Sequence, residues 1–398
     1  LLEQLKDERC WEGFYAYRTS LVCPKAFAKE LRAFIDEKRW LPVCEAIERG
    51  DRFPLPRKAV ISKMSSQKKR TVYIYPKTEN TVLKMLTWLL LRRYDGVYSP
   101  ALYSFRPGKT AKDAVRTLTR TRGIWSKYCY KADIHDYFNS IPVEQFVPLL
   151  EQTLADDPAL FSFLRSLLEE PRVLENGKPI EEAKGIMAGT PLSAFYANLY
   201  LKDLDAHFCE AGIPYARYSD DIILFADSEE ERERHVAYLH ALLADRGLTI
   251  NPAKESFSGP GEPWTFLGFV CSEKRIDIAP ATVYKLKQKM RRKARALQRW
   301  RKRNGVSGEK AAGAFIRIFN RKLLENSADS DLTWSYWFFS VINTPDSLRE
   351  IDAYAQDCLR FLISGRRTKA RFNVRYEDLK RLGYRSLVHE YYSFTSSP

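Results

Sequence analysis

The chain has 398 residues, 45% of them apolar, with 65 Lys and Arg against 50 Asp and Glu for a formal charge of +15. That length allows two or three domains around a substantial core, and the charge favours a large polyanionic partner such as RNA or DNA. Seven scattered cysteines without a CxxC pair or zinc-spaced histidines exclude a disulfide framework and a zinc module. No apolar run reaches the ~20 residues of a bilayer span and no secretory leader is read, so a reduced, cytoplasmic, non-membrane protein is expected.

Residues 1 to about 60 mix short amphipathic helical stretches with proline-containing breaks, and Pro54, Pro56 and the Arg57-Lys58 pair mark a change of character. A β-branched and aromatic run predicts a strand over 71–75, stopped by Pro76, and apolar residues at helical spacing predict a helix over 82–94. A helix over 110–121, a strand over 128–134 and helices over 143–154 and 161–169 follow. One long helix is predicted over 190–209, then short strands over 215–218 and 222–226 joined at Ser219-Asp220. A helix over 228–246 and a strand over 264–270 complete an alternation that argues for an α+β fold.

Asp220 and Asp221 thus sit at a hairpin tip, between Tyr218 and the apolar run Ile222-Ile223-Leu224-Phe225. Burying two adjacent carboxylates without a cation is costly. In Lys131-Ala132-Asp133-Ile134-His135-Asp136-Tyr137-Phe138, Asp133 ends an apolar strand from which it could face that hairpin across a sheet. Three convergent carboxylates supply the hard oxygen donors that magnesium demands, and two such ions about 3.5–4 Å apart serve phosphoryl transfer.

From Pro280 the composition turns basic. Residues 284–304 hold eleven Lys and Arg, among them Lys289, Arg292, Lys293 and Arg299, and no acidic residue. Leu286, Met290, Ala294 and Leu297 supply the apolar spacing of a helix packed on one side and lying along phosphates on the other. Farther on, Trp334, Tyr336, Trp337, Phe338 and Phe339 serve either core packing, the commoner use, or base stacking.

These residues carry a resemblance. Tyr218-Ser219-Asp220-Asp221 resembles the YxDD motif of reverse transcriptases, and Asp133 to Ile141 resembles their metal-binding strand motif, in matching order and spacing. The segment from Gly185 to Leu201 is similar to the glycine loop and helix of group II intron and retron enzymes. Phe105-Arg106-Pro107-Gly108 resembles their fingers motif, and Phe266-Leu267-Gly268-Phe269 their primer grip. The tail from Gly383 to Tyr392 looks like the C-terminal region of bacterial defence-associated reverse transcriptases.

The resemblance implies a right-hand polymerase fold with fingers, a palm built on an antiparallel sheet, and a helical thumb. The layout expected is an N-terminal helical extension (1–60), fingers (61–127), palm (128–279, with a fingers insertion at about 143–184) and a basic thumb and C-terminal region (280–398). It implies two Mg²⁺ ions at Asp133, Ile134, Asp220 and Asp221, and Phe138 as the gate that excludes a 2′-hydroxyl. Gly189, Lys69, Arg70 and Lys254 are then nucleotide-binding, although Lys63, Lys68, Lys69 and Arg70 cannot be ranked from the sequence. Arg106, Phe266, Leu267, Gly268 and the basic helix would bind nucleic acid. Relatives usually carry Gln-Gly where this chain has Ala188-Gly189, so the Gln amide bonds are missing. The function expected is synthesis of DNA from dNTPs on a noncoding or self-associated RNA, in anti-phage defence. A retron-type or template-independent DNA polymerase, an RNA-synthesising polymerase and a catalytically silent RNA-binding scaffold remain as alternatives.

Overall fold

Eleven strands form three sheets among the residues described by the computed structural model, which are 1–21, 23–62, 69–325 and 334–396. Two units are distinguished, Leu1–Glu262 and Pro263–Pro398. The class is α+β, as the alternation of sequence periods indicates. Among the described residues no helix is long and apolar enough to cross a membrane.

The first unit opens with helices Glu8–Ser20, Lys25–Asp36 and Leu41–Glu48, tied together where the Trp11 ring meets Phe34 at 5.7 Å and stacks on Trp40 at 5.6 Å. Its strands are β1 (Arg57–Ser62), β2 (Lys69–Ile74), β3 (Tyr128–Asp133), β4 (Arg172–Glu175), β5 (Lys178–Glu181), β6 (Tyr215–Tyr218), β7 (Asp221–Ala226) and β8 (Ser256–Ser258). One sheet has the order β2-β1-β4-β5, with β1 parallel to β4. Its strands β1, β4 and β5 were not predicted: β4 and β5 have four residues each, and β1 has a consecutive Ala59-Val60-Ile61 run between polar residues, so none shows the alternation that marks a half-buried strand.

The second sheet, β6-β7-β3-β8, is antiparallel throughout. Its central strands β3 and β7 bury Tyr130, Ala132, Ile222, Ile223, Leu224 and Phe225 almost completely. Helix Glu229–Asp245 packs on β3 and β7, and helices Ala111–Arg120 and Lys202–Glu210 pack against β6. Thr110 stands just outside its helix as the cap, in a reciprocal capping box with Asp113. The single helix predicted over 190–209 is two, Ser193–Tyr200 and Lys202–Glu210, broken at Leu201 (φ −112°, ψ 22°). Apolar residues continue through the break, so periodicity does not register it.

In the second unit β9 (Trp264–Phe266), β10 (Phe269–Cys271) and β11 (Ile276–Ile278) form an antiparallel meander. The strand predicted over 264–270 is therefore a hairpin: Phe266 pairs with Phe269, and both turn residues are left-handed, Leu267 at φ 49° and Gly268 at φ 90°. This is the φ pattern of a type I′ turn, unusual in placing leucine at its first position. The basic helix Pro280–Asn304 packs against helices Gly308–Leu323 and Asp346–Ser364 and buries Val283, Met290, Ala294 and Leu297. In the aromatic run, Phe338 and Phe339 are core: Phe338 packs on Phe269 at 5.0 Å and Phe339 on Tyr391 at 5.4 Å.

The C-terminal segment is held by one buried carboxylate. Asp352 accepts from the Tyr384 hydroxyl (2.7 Å), the Ser386 hydroxyl (2.6 Å) and the backbone N–H groups of Leu387 (2.9 Å) and Val388 (3.0 Å). The last two open helix Leu387–Thr395, so the charge also faces the positive end of that helix.

Candidate active site

The acidic cluster follows from strand register. Asp133 ends β3, Asp221 begins β7, and the two are direct cross-strand partners. Tyr218 pairs with Asp221 across the β6–β7 hairpin, which leaves Ser219 and Asp220 as a two-residue turn with a left-handed Ser219 (φ 61°). The Asp220 carbonyl accepts from Ile134 N–H at 3.0 Å and the Asp133 carbonyl from Asn251 N–H at 2.8 Å, so both strand ends are fixed. Carboxylate oxygens of Asp133, Asp220 and Asp221 lie within 4.8 Å of one another.

Like charges placed directly opposite on a sheet destabilise it. Burial raises the Asp221 carboxyl to about 6, with Lys131 pulling it down and Asp220 and Asp133 pushing it up. Burial likewise raises Asp220, and Asp133 adds to the effect. Lys254 donates to Asp133, and Lys131 lies 3.9 Å from Asp221, so the cluster is only partly balanced by the protein's own cations. Three hard oxygen donors with charge still to be balanced fit a divalent cation.

Beneath the turn lies a polar network that the sequence reading missed. Arg217 and Asp205 are both fully buried and form a bidentate pair, Nε to Oδ1 at 2.7 Å and Nη2 to Oδ2 at 2.5 Å. Arg217 also donates to the carbonyls of Ser219 (3.2 Å) and Asn198 (3.1 Å), and Tyr215 donates to Asp205 at 2.8 Å. From the other side Ser104 Oγ accepts from Ser219 N–H at 2.9 Å and donates to Asn198 Oδ1 at 2.9 Å. The strained Ser219 is thereby held through both its N–H and its carbonyl. The available signal was an arginine inside the otherwise apolar strand Tyr215-Ala216-Arg217-Tyr218, which demands a buried partner.

Around the cluster, Phe138 is half-buried in the short helix Tyr137–Ser140, with the Arg70 guanidinium 5.6 Å over its ring. Arg70 also exerts a lowering pull on Asp220, so β2 brings a cation toward the acids. Lys69 pairs with Ser62 at the tip of the β1–β2 hairpin, whereas Lys63 and Lys68 lie outside the described residues, as does the side chain of Lys69. The Ala188 carbonyl accepts from Tyr73 N–H of β2 at 2.8 Å, and Ala188 N–H donates to Asn139 at 3.2 Å. Gly189 has φ 95°, and a Cβ there would stand 2.9 Å from Val72 Cβ, so close approach of the two segments requires glycine. Asp133, Ile134, Asp220, Asp221, Lys254, Arg70 and Phe138 are thus brought to one neighbourhood.

Arg106 is placed otherwise. Its side chain is 7% exposed, and its N–H groups go to the Asp95 carboxylate (2.7 and 3.0 Å), the Asp95 carbonyl (3.1 Å) and the carbonyls of Ser99 (2.6 Å) and Leu102 (3.2 Å). It braces its own loop and keeps no donor over for a phosphate. Its neighbour Phe105 is exposed, with its ring 6.4 Å from that of Tyr218. In the second unit Phe266 is fully buried, and Leu267 and Gly268 form the turn ahead of the basic helix, with the Gly268 carbonyl accepting from Ala279 N–H at 2.8 Å. On that helix Lys289, Arg292 and Arg299 are exposed and Lys293 is half-buried.

Comparison with known proteins bears on the same region. Residues 61–271 match the family described as reverse transcriptase (RNA-dependent DNA polymerase). The chain is 25% identical over 203 residues to the group II intron-encoded protein LtrA of Lactococcus lactis subsp. cremoris, covering 50% of this chain and 32% of that protein. It is 32% identical over 94 residues to the retron Ec86 reverse transcriptase of Escherichia coli, covering 23% of this chain and 29% of that one. The chain thus spans about a third of the length of these relatives. Among solved structures it is similar to apo telomerase from Candida tropicalis, with a TM-score of 0.47 and 12% identity over 83% of this chain and 68% of that chain. With residues 61–271 of 398 matched, the chain belongs to the reverse transcriptase (RNA-dependent DNA polymerase) family and has that family's α+β right-hand polymerase fold.

Proposed function

We propose that the chain is an RNA-directed DNA polymerase that adds deoxynucleotides to a primer 3′-hydroxyl at the Asp133, Asp220 and Asp221 cluster. The observation that carries this reading is the convergence of three largely buried carboxylates, in strand register, beside a basic and aromatic wall. Two bound magnesium ions would supply activation of the primer hydroxyl and neutralisation of the leaving pyrophosphate. The chain's own residues do the rest. Asp133, Asp220 and Asp221 hold the ions, with the backbone at Ile134 beside them. Arg70 clamps the triphosphate, for which its fork of donors is suited, and Lys254 balances charge at Asp133 and stands ready to protonate pyrophosphate. Phe138 excludes a 2′-hydroxyl by bulk, and the Ala188-Gly189 backbone lies against the nucleotide.

In this reading residues 61–127 act as fingers, 128–279 as palm and 280–398 as thumb, with the exposed cations of the basic helix along the phosphates of template and product. An RNA template, a DNA product and dNTPs are the partners. The resemblance of the C-terminal segment to defence-associated enzymes supports a role against phage, tested by counting plaques on cells with and without the gene.

The activity is tested by primer extension on copurified RNA with Mg²⁺ and either dNTPs or NTPs. Asp220→Ala with Asp221→Ala abolishes extension and leaves RNA binding in a gel shift within about threefold, since cationic surface dominates affinity. Extension that survives the double substitution refutes the metal assignment, and equal use of NTPs refutes the gate.

A further inference from the structure

Within the second unit, the basic helix Pro280–Asn304, helix Asp346–Ser364 and the segment that follows it enclose an open cavity of about 310 Å³. Arg291 and Arg295 reach it from the basic helix, and Arg367 and Arg371 from the far side. Arg371 is paired with Asp357 at 2.7 Å, whereas Arg291, Arg295 and Arg367 have no carboxylate partner among the described residues. Three uncompensated guanidiniums around one cavity are an unfavourable arrangement for the protein alone and a favourable one for an anion.

The other lining is aromatic. Tyr354 and Phe361 stand seven residues apart on helix Asp346–Ser364, hence on one face and about 10.5 Å apart along its axis. Arg367 lies 5.0 Å over the Phe361 ring. A bare phosphate has no use for two rings, and an apolar ligand none for the guanidiniums. A nucleotide uses both, and the amines of a base find an acceptor in Asp357. The volume is at the lower end for ligand pockets, enough for one such group.

We propose that this cavity binds one unpaired nucleotide of a single-stranded polynucleotide, its phosphate among Arg291, Arg295 and Arg367 and its base against Tyr354 or Phe361. A strand is favoured over a free nucleotide because Arg291 and Arg295 adjoin the exposed row Lys285, Lys289, Arg292 and Arg299 on the same helix. Phosphates that follow this row pass the mouth of the cavity. The proposal rests on the reading of the chain as a polynucleotide-binding enzyme but not on its catalysis.

The test uses the full chain, both intact and carrying Asp220→Ala with Asp221→Ala, so that loss of this site and loss of synthesis are scored apart. Ten-nucleotide single strands of RNA and of DNA, each with a photoactivatable thio-substituted pyrimidine, are bound, irradiated and mapped by mass spectrometry. Crosslinks to Tyr354 or Phe361 are expected, and the strand that gives them identifies the ligand. Arg291→Ala with Arg295→Ala lowers that crosslink about tenfold or more, through loss of charge-assisted contacts to the phosphate, while Lys25→Ala with Lys29→Ala, exposed on helix Lys25–Asp36 away from the basic helix in sequence, removes equal charge and spares it. Phe361→Leu, which leaves every charge in place, weakens it as well. The proposal is overturned by a bound strand that gives no crosslink within residues 354–371, by equal loss in the two charge variants, or by complete competition from an equal concentration of nucleoside monophosphate.

Discussion

Replacing Arg217 with Met removes a cation from beneath the Ser219-Asp220 turn at nearly constant volume. Asp205 then keeps only the Tyr215 hydroxyl at 2.8 Å, and the carbonyls of Ser219 and Asn198 lose their donor. Breaking a fully buried pair from one side costs about 3–5 kcal/mol, because the remaining charge is left in a low-dielectric interior. Against a total stability of about 5–15 kcal/mol for a domain, that is a large share. The expected result is native-state hydrogen exchange of the β6 and β7 amides faster by about a hundredfold or more, since each 1.4 kcal/mol is tenfold. Asp205→Leu combined with Arg217→Met removes both charges and restores most of the protection, because an apolar pair of similar volume is nearly neutral. Primer extension behaves differently. The double variant still lacks the donor that holds the Ser219 carbonyl, and a displacement of about 1 Å at the acids costs about a hundredfold in rate. Protection within about 0.5 kcal/mol of the parent in the single variant refutes the reasoning. So does full activity in the double variant.

If Phe138 is the proposed gate, Phe138→Ala raises ribonucleotide use relative to deoxynucleotide use about tenfold or more in competitive primer extension; an unchanged ratio removes Phe138 from sugar selection. Gly189→Ala forces a side chain onto a backbone at φ 95° and into Val72 at 2.9 Å. It lowers thermal stability by about 1–3 kcal/mol and raises the KM for dNTP, and a parent-like melting curve contradicts the close approach. Asp352→Ala leaves buried donors at the start of helix Leu387–Thr395 without their acceptor, at about 2–4 kcal/mol in all. Exchange in that helix rises in consequence, and unchanged protection shows that the carboxylate does not hold it.

The acidic cluster was legible because its parts leave local signatures: an acid at the end of an apolar strand, and a pair of acids interrupting a buried hairpin. Residue order then assembled them. The network under the turn was not legible, because Asp205 and Arg217 lie on a helix and a strand that no periodicity connects, and because helix breaks such as Leu201 leave no mark in apolar spacing. The Leu267-Gly268 hairpin was missed for a related reason: β-branched and aromatic residues continue on both sides, and leucine is not a residue from which a left-handed turn is predicted. The opposite error occurred at Arg106. A basic residue in a motif invites a phosphate contact, and only the geometry places it around Asp95.

The pairing of Asp133 with Asp221 has a consequence for folding quality. A slip of one residue between β3 and β7 would set Ala132 or Ile134 opposite Asp221 and turn Asp133 to the other face of the sheet. A molecule so misassembled keeps its composition, charge and much of its compactness, yet has no cluster of acids to offer. Under the proposed function, specific activity therefore reports strand alignment. On that proposal, a fraction of a purified sample that is inactive yet binds RNA as the rest does is the signature that a slipped population would leave.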